Sequence, residues 1–154
     1  MASLLIRGPQ DSDKKGMIAI YESEGFFDYA PSRPKLEVIT ATVDAYFEEA
    51  ISDPAAIILY IADLDHRVAG FSIARKGAQS IWEVQAGVHF NHRKQGMGHA
   101  LLAALFQEMH KRGPAECKAI VHAGNVASFK MESHFFREHG VTGLPGFLQF
   151  STAW

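Results

Sequence analysis

The sequence predicts a single α+β domain, on three observations. The chain has 154 residues, within the ~100–200 that one domain usually takes. Its apolar residues recur at helical spacing up to Ser52, alternate or cluster at strand length from Ala56 to Phe90, and return to helical spacing from Gly98. No repeat, low-complexity segment or linker interrupts this order. A chain of this length buries roughly 70% of its unfolded surface, so it needs neither disulfide nor metal to fold. The lone cysteine, Cys117, excludes an internal disulfide. With 15 Lys and Arg against 17 Asp and Glu, the net charge of -2 lacks the basic footprint of a nucleic-acid binder.

The elements follow in order. Leu4-Leu5-Ile6 reads as a short strand, stopped by Gly8-Pro9. Asp11-Ser12-Asp13 offers N-cap chemistry to a helix over Lys14–Glu24, with Met17, Ile18, Ile20 and Tyr21 at helical spacing and Gly25 after it. The stretch from Phe26 to Pro34 reads as irregular. A second helix spans Leu36–Ser52, with Val38, Ala41, Ala45 and Ile51 marking one face, Phe47 near it, and Asp53-Pro54 as its stop. Ala56–Asp63 is a buried strand and Asp65-His66 a turn. Val68–Arg75 pairs back as a hairpin, and Ile81–Phe90 completes an antiparallel meander. A polar loop leads to a helix over Gly98–Arg112, striped by Leu101, Leu102, Leu105, Phe106 and Met109 and ended by Gly113-Pro114. Cys117–Ala123 reads as a strand, Val126–His139 as a helix and Gly146–Thr152 as a last strand. The N-terminal residues lack the charged and apolar regions of a signal peptide, and no run nears the roughly 20 apolar residues of a membrane helix. The expectation is a cytoplasmic protein with no membrane or nucleic-acid partner.

The most informative segment is Val88-His89-Phe90-Asn91-His92-Arg93-Lys94-Gln95-Gly96-Met97-Gly98-His99. A helix N-terminus presents unpaired N–H groups and partial positive charge. Glycines let a phosphate approach those groups, and Arg93 and Lys94 add cationic charge. The expectation is a diphosphate site. The P-loop spacing is absent, and the third glycine of the dinucleotide fingerprint is replaced by Leu101. On its own, strand–Gly-x-Gly–helix fits a phosphate site and a tight solvated turn equally well.

The pattern V-x-x-x-x-R-x-x-G-x-G, carried by Val88, Arg93, Gly96 and Gly98, resembles the acetyl-CoA signature of the GCN5-related N-acetyltransferases. The likeness extends to Asn125-Val126-Ala127-Ser128 after the next strand and to the element order from Leu4 to about Phe150. It implies a three-layer α+β fold whose central sheet is mixed, mostly antiparallel and flanked by about four helices. It also implies acetyl-CoA as co-substrate. Backbone groups of Val88 and Phe90 would hold the pantetheine arm. Those of Arg93, Lys94, Gln95, Gly96, Met97, Gly98 and His99 would hold the pyrophosphate, with Asn125 and Ser128 near the cofactor. Asn125 and Ser128 also fit plain helix capping.

Acetyl transfer to an amine needs a deprotonated amine, an oxyanion donor and an exit for the thiolate. The resemblance places the thioester where Ile81–Phe90 and Cys117–Ala123 splay, with a backbone N–H near Val88 as oxyanion donor. The tyrosine that often serves as general acid seven residues after the Asn is replaced by Glu132, with His134 a second local group. A carboxylate on the third meander strand is a frequent base in the family, which makes Glu83 the candidate base. Glu83, Gln85 and His89 share one face of that strand if no bulge shifts it. The acceptor, a small-molecule or peptide amine, is expected beside the acidic and aromatic cluster of Tyr21, Glu22, Glu24, Phe26, Phe27, Asp28 and Tyr29. Of these, Tyr21, Glu24 and Phe27 are the principal contacts. The eight histidines do not form a zinc spacing, so no metal is expected. A homodimer would suit an exposed sheet edge near Gly146–Trp154. The alternative to an enzyme is a non-catalytic acyl-CoA-binding sensor or structural module of the same fold.

Overall fold

The computed structural model describes residues 3–27, 32–113, 116–122, 136–141 and 147–153. In chain order these hold β1 (Leu4–Arg7), a 3₁₀ turn (Asp11–Asp13), α1 (Lys14–Glu22), α2 (Leu36–Ser52), β2 (Ile57–Leu64), β3 (Arg67–Lys76) and β4 (Trp82–Val88). A 3₁₀ turn (Phe90–His92), α3 (Met97–Lys111), β5 (Glu116–His122), β6 (Arg137–Val141) and β7 (Phe147–Ala153) follow. The strands form one seven-stranded sheet in the order β1-β2-β3-β4-β5-β7-β6. Every neighbouring pair is antiparallel except β4 with β5, so the sheet is mixed and mostly antiparallel as expected.

Alternation along the strands splits the core into two layers. Ile57, Leu59 and Ile61 of β2, with Phe71 and Ile73 of β3, face α1 and α2. Ile58 of β2, Ala74 of β3 and Trp82 and Val84 of β4 face α3, where Leu102, Leu105 and Met109 pack on them. The turn between β2 and β3 is Asp65-His66, both at positive φ (50° and 68°), as a two-residue hairpin requires.

Several boundaries and faces depart from the sequence reading. The buried face of α2 is Ile39, Val43, Tyr46 and Phe47, while Val38 and Ile51 are 56% and 78% exposed. Two large aromatics on one side outweigh the smaller residues of the expected stripe. α1 ends at Glu22, two residues early, because extended Ser23 caps it and donates its Oγ–H to the Ile20 carbonyl (2.7 Å). Arg137–His139, expected to end a helix, belongs to β6, which pairs with β7 at Arg137↔Ser151 and Glu138↔Phe150. Backbone pairing builds this strand where the side-chain pattern gives little sign of it. Residues 126–135 of that expected helix lie outside the described residues, and Phe136 is buried in the core layer that faces α3. β7 is paired on both sides, by β5 and β6, so the sheet edges are β1 and β6 and the edge expected near Gly146–Trp154 is not one.

The segment before α1 does more than cap it. Asp13 is only 3% exposed. Its carboxylate accepts both Nη groups of Arg7 (2.8 and 2.9 Å) and the Gln10 N–H (2.7 Å). Arg7 also donates Nε–H to Asp63 of β2 (3.0 Å), so one guanidinium ties β1, α1 and β2 together. Burial raises the Asp13 carboxyl, but hydrogen bonds from Arg7 and Gln10 outweigh that and hold it below the usual value. The hydrogen bond to Asp13 raises the Arg7 guanidinium in turn. A carboxylate lowered in the folded state contributes stability above its unfolded value of about 4 and loses it as pH falls toward the folded one. Asp13→Ala should therefore cost about 3 kcal/mol at pH 7 in urea unfolding. The gap between the variant and the parent should narrow as pH falls below about 4. A constant gap would remove the charge pair as its cause.

Candidate active site

The two edges of β4 are bonded differently. Toward β3, Trp82–Val88 pair without interruption with Gly70–Lys76, so no bulge shifts this ladder. Toward β5, only Trp82↔Cys117 and Glu83↔Lys118 pair among the described residues. Gly77 donates its N–H to the Ile81 carbonyl and His89 donates to Ala69, both at 2.8 Å. In an antiparallel ladder, residues alternate between bonding the neighbour and facing away. These two bonds fix the phase: Glu83, Gln85 and Gly87 bond β3, and Val84, Ala86 and Val88 present N–H and C=O toward β5. Since β5 does not pair there, a wedge opens with polar backbone along one wall. The sequence reading expects this splay and Val88, but not Ala86. The hydrogen-bond phase, which becomes legible once the β3 register is known, is the signal that adds it.

The strand ends at Val88, so Phe90 opens a 3₁₀ turn instead of extending the strand. His89 caps that turn: its Nδ1 accepts the Asn91 N–H (3.2 Å). Burial, then the neighbouring charges of His92 and Arg93, lower the His89 imidazole, which favours the uncharged ring that this bond needs. Arg93 folds back over the loop, donating Nε–H to the Val88 carbonyl (3.2 Å) with its guanidinium 5.7 Å from the Phe90 ring centre. The cation expected at the phosphates thus also clasps the loop to the strand.

Lys94 and Gly96 take positive φ (64° and 77°) as the chain turns into α3. The first helical bond runs from the Ala100 N–H to the Gly96 carbonyl (3.1 Å), so the N–H groups of Met97 and Gly98 precede the ladder. A Cβ on Gly96 would meet nothing within 4 Å. The glycine serves the backbone conformation, and the space above it is open for an anion at the positive end of a 15-residue helix. Lys94, Gln95 and His99 are exposed around it. Met97 is buried against Ala62, Ala69 and Leu101, so it offers the site only its backbone.

The face of β4 toward α1 and α2 carries Glu83, Gln85 and Gly87. Glu83 lies 3.3 Å from Lys118 Nζ, with its side chain 57% exposed, where β4 and β5 still pair. It is five residues from Val88, roughly 16 Å along the strand. Gln85 donates Nε2–H to the Tyr46 hydroxyl (2.9 Å). Gly87 lies under the rings of Phe26 and Phe71. Of the expected acceptor contacts, Tyr21 is buried at the centre of an aromatic cluster, 6.2 Å from the stacked ring of Phe27, while Glu24 is exposed. Asp28, Tyr29, Asn125, Ser128, Glu132 and His134 lie outside the described residues.

A strand wedge that runs into a glycine-opened helix start is the arrangement of an acyl-CoA-binding acetyltransferase fold. The Acetyltransferase (GNAT) family model matches residues 17–140, and the chain belongs to that family. Among solved structures, it is similar to an N-acetyltransferase from Staphylococcus aureus Mu50 (19% identity, 98% of each chain, TM-score 0.82). It is similar to PaiA N-acetyltransferase from Thermoplasma acidophilum, solved in complex with coenzyme A (19%, 99% of each chain, TM-score 0.78). A third is the ribosomal-protein-alanine N-acetyltransferase from Brucella melitensis (24%, 97% of this chain and 99% of that one, TM-score 0.76). These likenesses establish the fold. No curated protein sequence matches the chain. Among the described residues no helix is long and apolar enough to cross a membrane, and no three His, Cys, Asp or Glu residues cluster as metal ligands.

The two roles open to Arg93 separate by substitution. If the Nε–H bond to Val88 dominates, Arg93→Lys and Arg93→Ala should both weaken acetyl-CoA about tenfold in calorimetry, because lysine lacks the planar fork. Full recovery of affinity in Arg93→Lys would show that charge alone matters.

Proposed function

We propose that the protein transfers an acetyl group from acetyl-CoA to a primary amine by direct attack, with no covalent enzyme intermediate. The observation that carries this reading is the wedge beside Ala86 and Val88, which leads straight to the open start of α3. The residues fit the co-substrate: backbone groups of Val88 would hold the pantetheine arm, with Phe90 at the turn beyond. The amides from Arg93 to His99 would hold the diphosphate with Lys94. Asn125 and Ser128 are assigned to the same cofactor by the family pattern. Acetyl-CoA supplies the activated acyl group. The N–H of Ala86 or Val88 is placed to stabilise negative charge on the carbonyl oxygen as the amine nitrogen bonds to carbon and the C–S bond breaks.

The amine must arrive neutral, and lysine-like amines titrate near 10. Glu83 is the candidate proton acceptor. Its distance along the strand means it would act through water, with Lys118 Nζ 3.3 Å away. Glu132 is the candidate donor to the leaving thiolate. Tyr21, Glu24 and Phe27 mark the acceptor side. The engagement of Glu83 by Lys118 also favours a second reading, in which the domain binds acyl-CoA without transferring the acyl group.

Two measurements separate these. Gly96→Glu puts bulk and negative charge in the open space at the helix start, so the folded variant should lose acetyl-CoA binding by at least ~100-fold, seen as loss of the thermal shift. Unchanged affinity would overturn the site. Supplying amines to the wild type should release coenzyme A, and Glu83→Gln should cut that turnover about tenfold or more with acetyl-CoA affinity kept. Tight binding with no release across an amine panel would establish the binding module instead.

A further inference from the structure

Beside the wedge, the acceptor face of β4 changes character along its length. Glu83 is paired with Lys118, and Gln85 is bonded to the Tyr46 hydroxyl, so its polar groups already have partners within the protein. At Gly87, next to Val88, the cover is aromatic. A Cβ there would stand 2.9 Å from Phe26 Cε2 and 2.6 Å from Phe71 Cε1, so the two rings rest directly on the strand backbone. Phe26 is fixed edge-on by Tyr21 (5.1 Å between ring centres, 64°) and by Phe27 (5.0 Å, 72°). Phe71 is fully buried, whereas Phe26 keeps part of its ring exposed. The carboxylates of Glu22 and Glu24 stand outside, exposed at the end of α1.

From this arrangement we infer that Phe26 is a specificity-determining residue, and that the acceptor is an amine whose neighbouring carbon chain bears an aromatic or bulky apolar group. The inference rests on the acetyltransferase reading. An acceptor reaching the wedge from the α1–α2 side passes exposed carboxylates first and an aromatic wall last. The outer charges draw in the ammonium form. The wall rewards burial of an apolar substituent and disfavours the charged nitrogen, which lowers its proton affinity where a neutral amine is required. A hydroxylated or polycationic acceptor would leave polar groups facing rings that cannot bond them.

The test compares 2-phenylethylamine with ethanolamine, amines of similar basicity, by coenzyme A release from acetyl-CoA with the full chain. Wild type should favour 2-phenylethylamine by about tenfold or more in kcat/KM. Phe26→Ala should bring that ratio close to one, mainly through KM, while Phe26→Leu keeps most of it. Calorimetry with acetyl-CoA checks that each variant is folded and binds the cofactor. Equal or better use of ethanolamine by the wild type, or an unchanged ratio in a folded Phe26→Ala, would overturn the assignment while leaving the acetyltransferase reading intact. Acetyl-CoA binding with no release for any amine would overturn the transferase reading, and this assignment with it.

Discussion

Among the described residues, β4 is paired along one edge for its whole length and along the other for only its first two residues. The rest of the site depends on that inequality. Backbone polar groups inside a sheet are normally consumed by neighbouring strands. Here β5 is held to β4 at Cys117 and Lys118, while its other edge pairs with β7 over its full length. The N–H and C=O of Ala86 and the N–H of Val88 are left to line a wall, while the Val88 carbonyl is held by Arg93. A substrate that can pair like a strand, as an amide-rich pantetheine arm can, completes the interrupted ladder.

At its mouth the wedge meets the start of α3, the proposed anion site, and that start is firmly held. Met97, Leu101, Leu102, Leu105 and Met109 are all buried, so the helix is pinned from its first residue. The Ser72 Oγ–H adds a buried bond to the Leu101 carbonyl (3.1 Å). The connecting loop is short, and two devices hold its shape: the His89 ring caps its 3₁₀ turn and Arg93 clasps it to Val88. Lys94 at positive φ costs about 1 kcal/mol, which those contacts offset. A helix start held this firmly relative to the strand presents its amides without paying for order when the ligand arrives.

What the sequence discloses and what it hides follow from the range of the interactions. α2 runs over the residues expected, Leu36–Ser52, because Asp53-Pro54 stops it locally. The Asp65-His66 turn and the α3 stripe are equally local. The face of α2 was misplaced because volume decides burial: Tyr46 and Phe47 need the sheet, and Val38 and Ile51 do without it. β6 is hidden because it is built by backbone pairing with β7, which the pattern of its own side chains does not register. In the site, Gly96 is legible because a positive-φ backbone requirement writes itself as glycine. Ala86 is not, because it acts through an amide that every residue shares. Gly87 stood inside an alternating run, and only the nearness of Phe26 and Phe71 explains it.

The period of two in a strand finally accounts for how one short segment can serve two substrates. In β4, the residues whose backbone faces the wedge, Val84, Ala86 and Val88, send their side chains to the α3 layer, where Val84 and Ala86 join the core. Of the residues whose backbone is spent on β3, Glu83 and Gln85 send theirs to the α1–α2 side, and Gly87 has none to send. The cofactor wall is therefore made of backbone and tolerates many side chains. The proposed acceptor wall is made of side chains and of whatever packs on them. At position 87 the absence of a side chain admits Phe26, a residue 61 positions earlier, to the point nearest Val88. Under the proposed reading, selectivity for the acceptor would rest on Phe26, which packs apart from the edge that would hold acetyl-CoA.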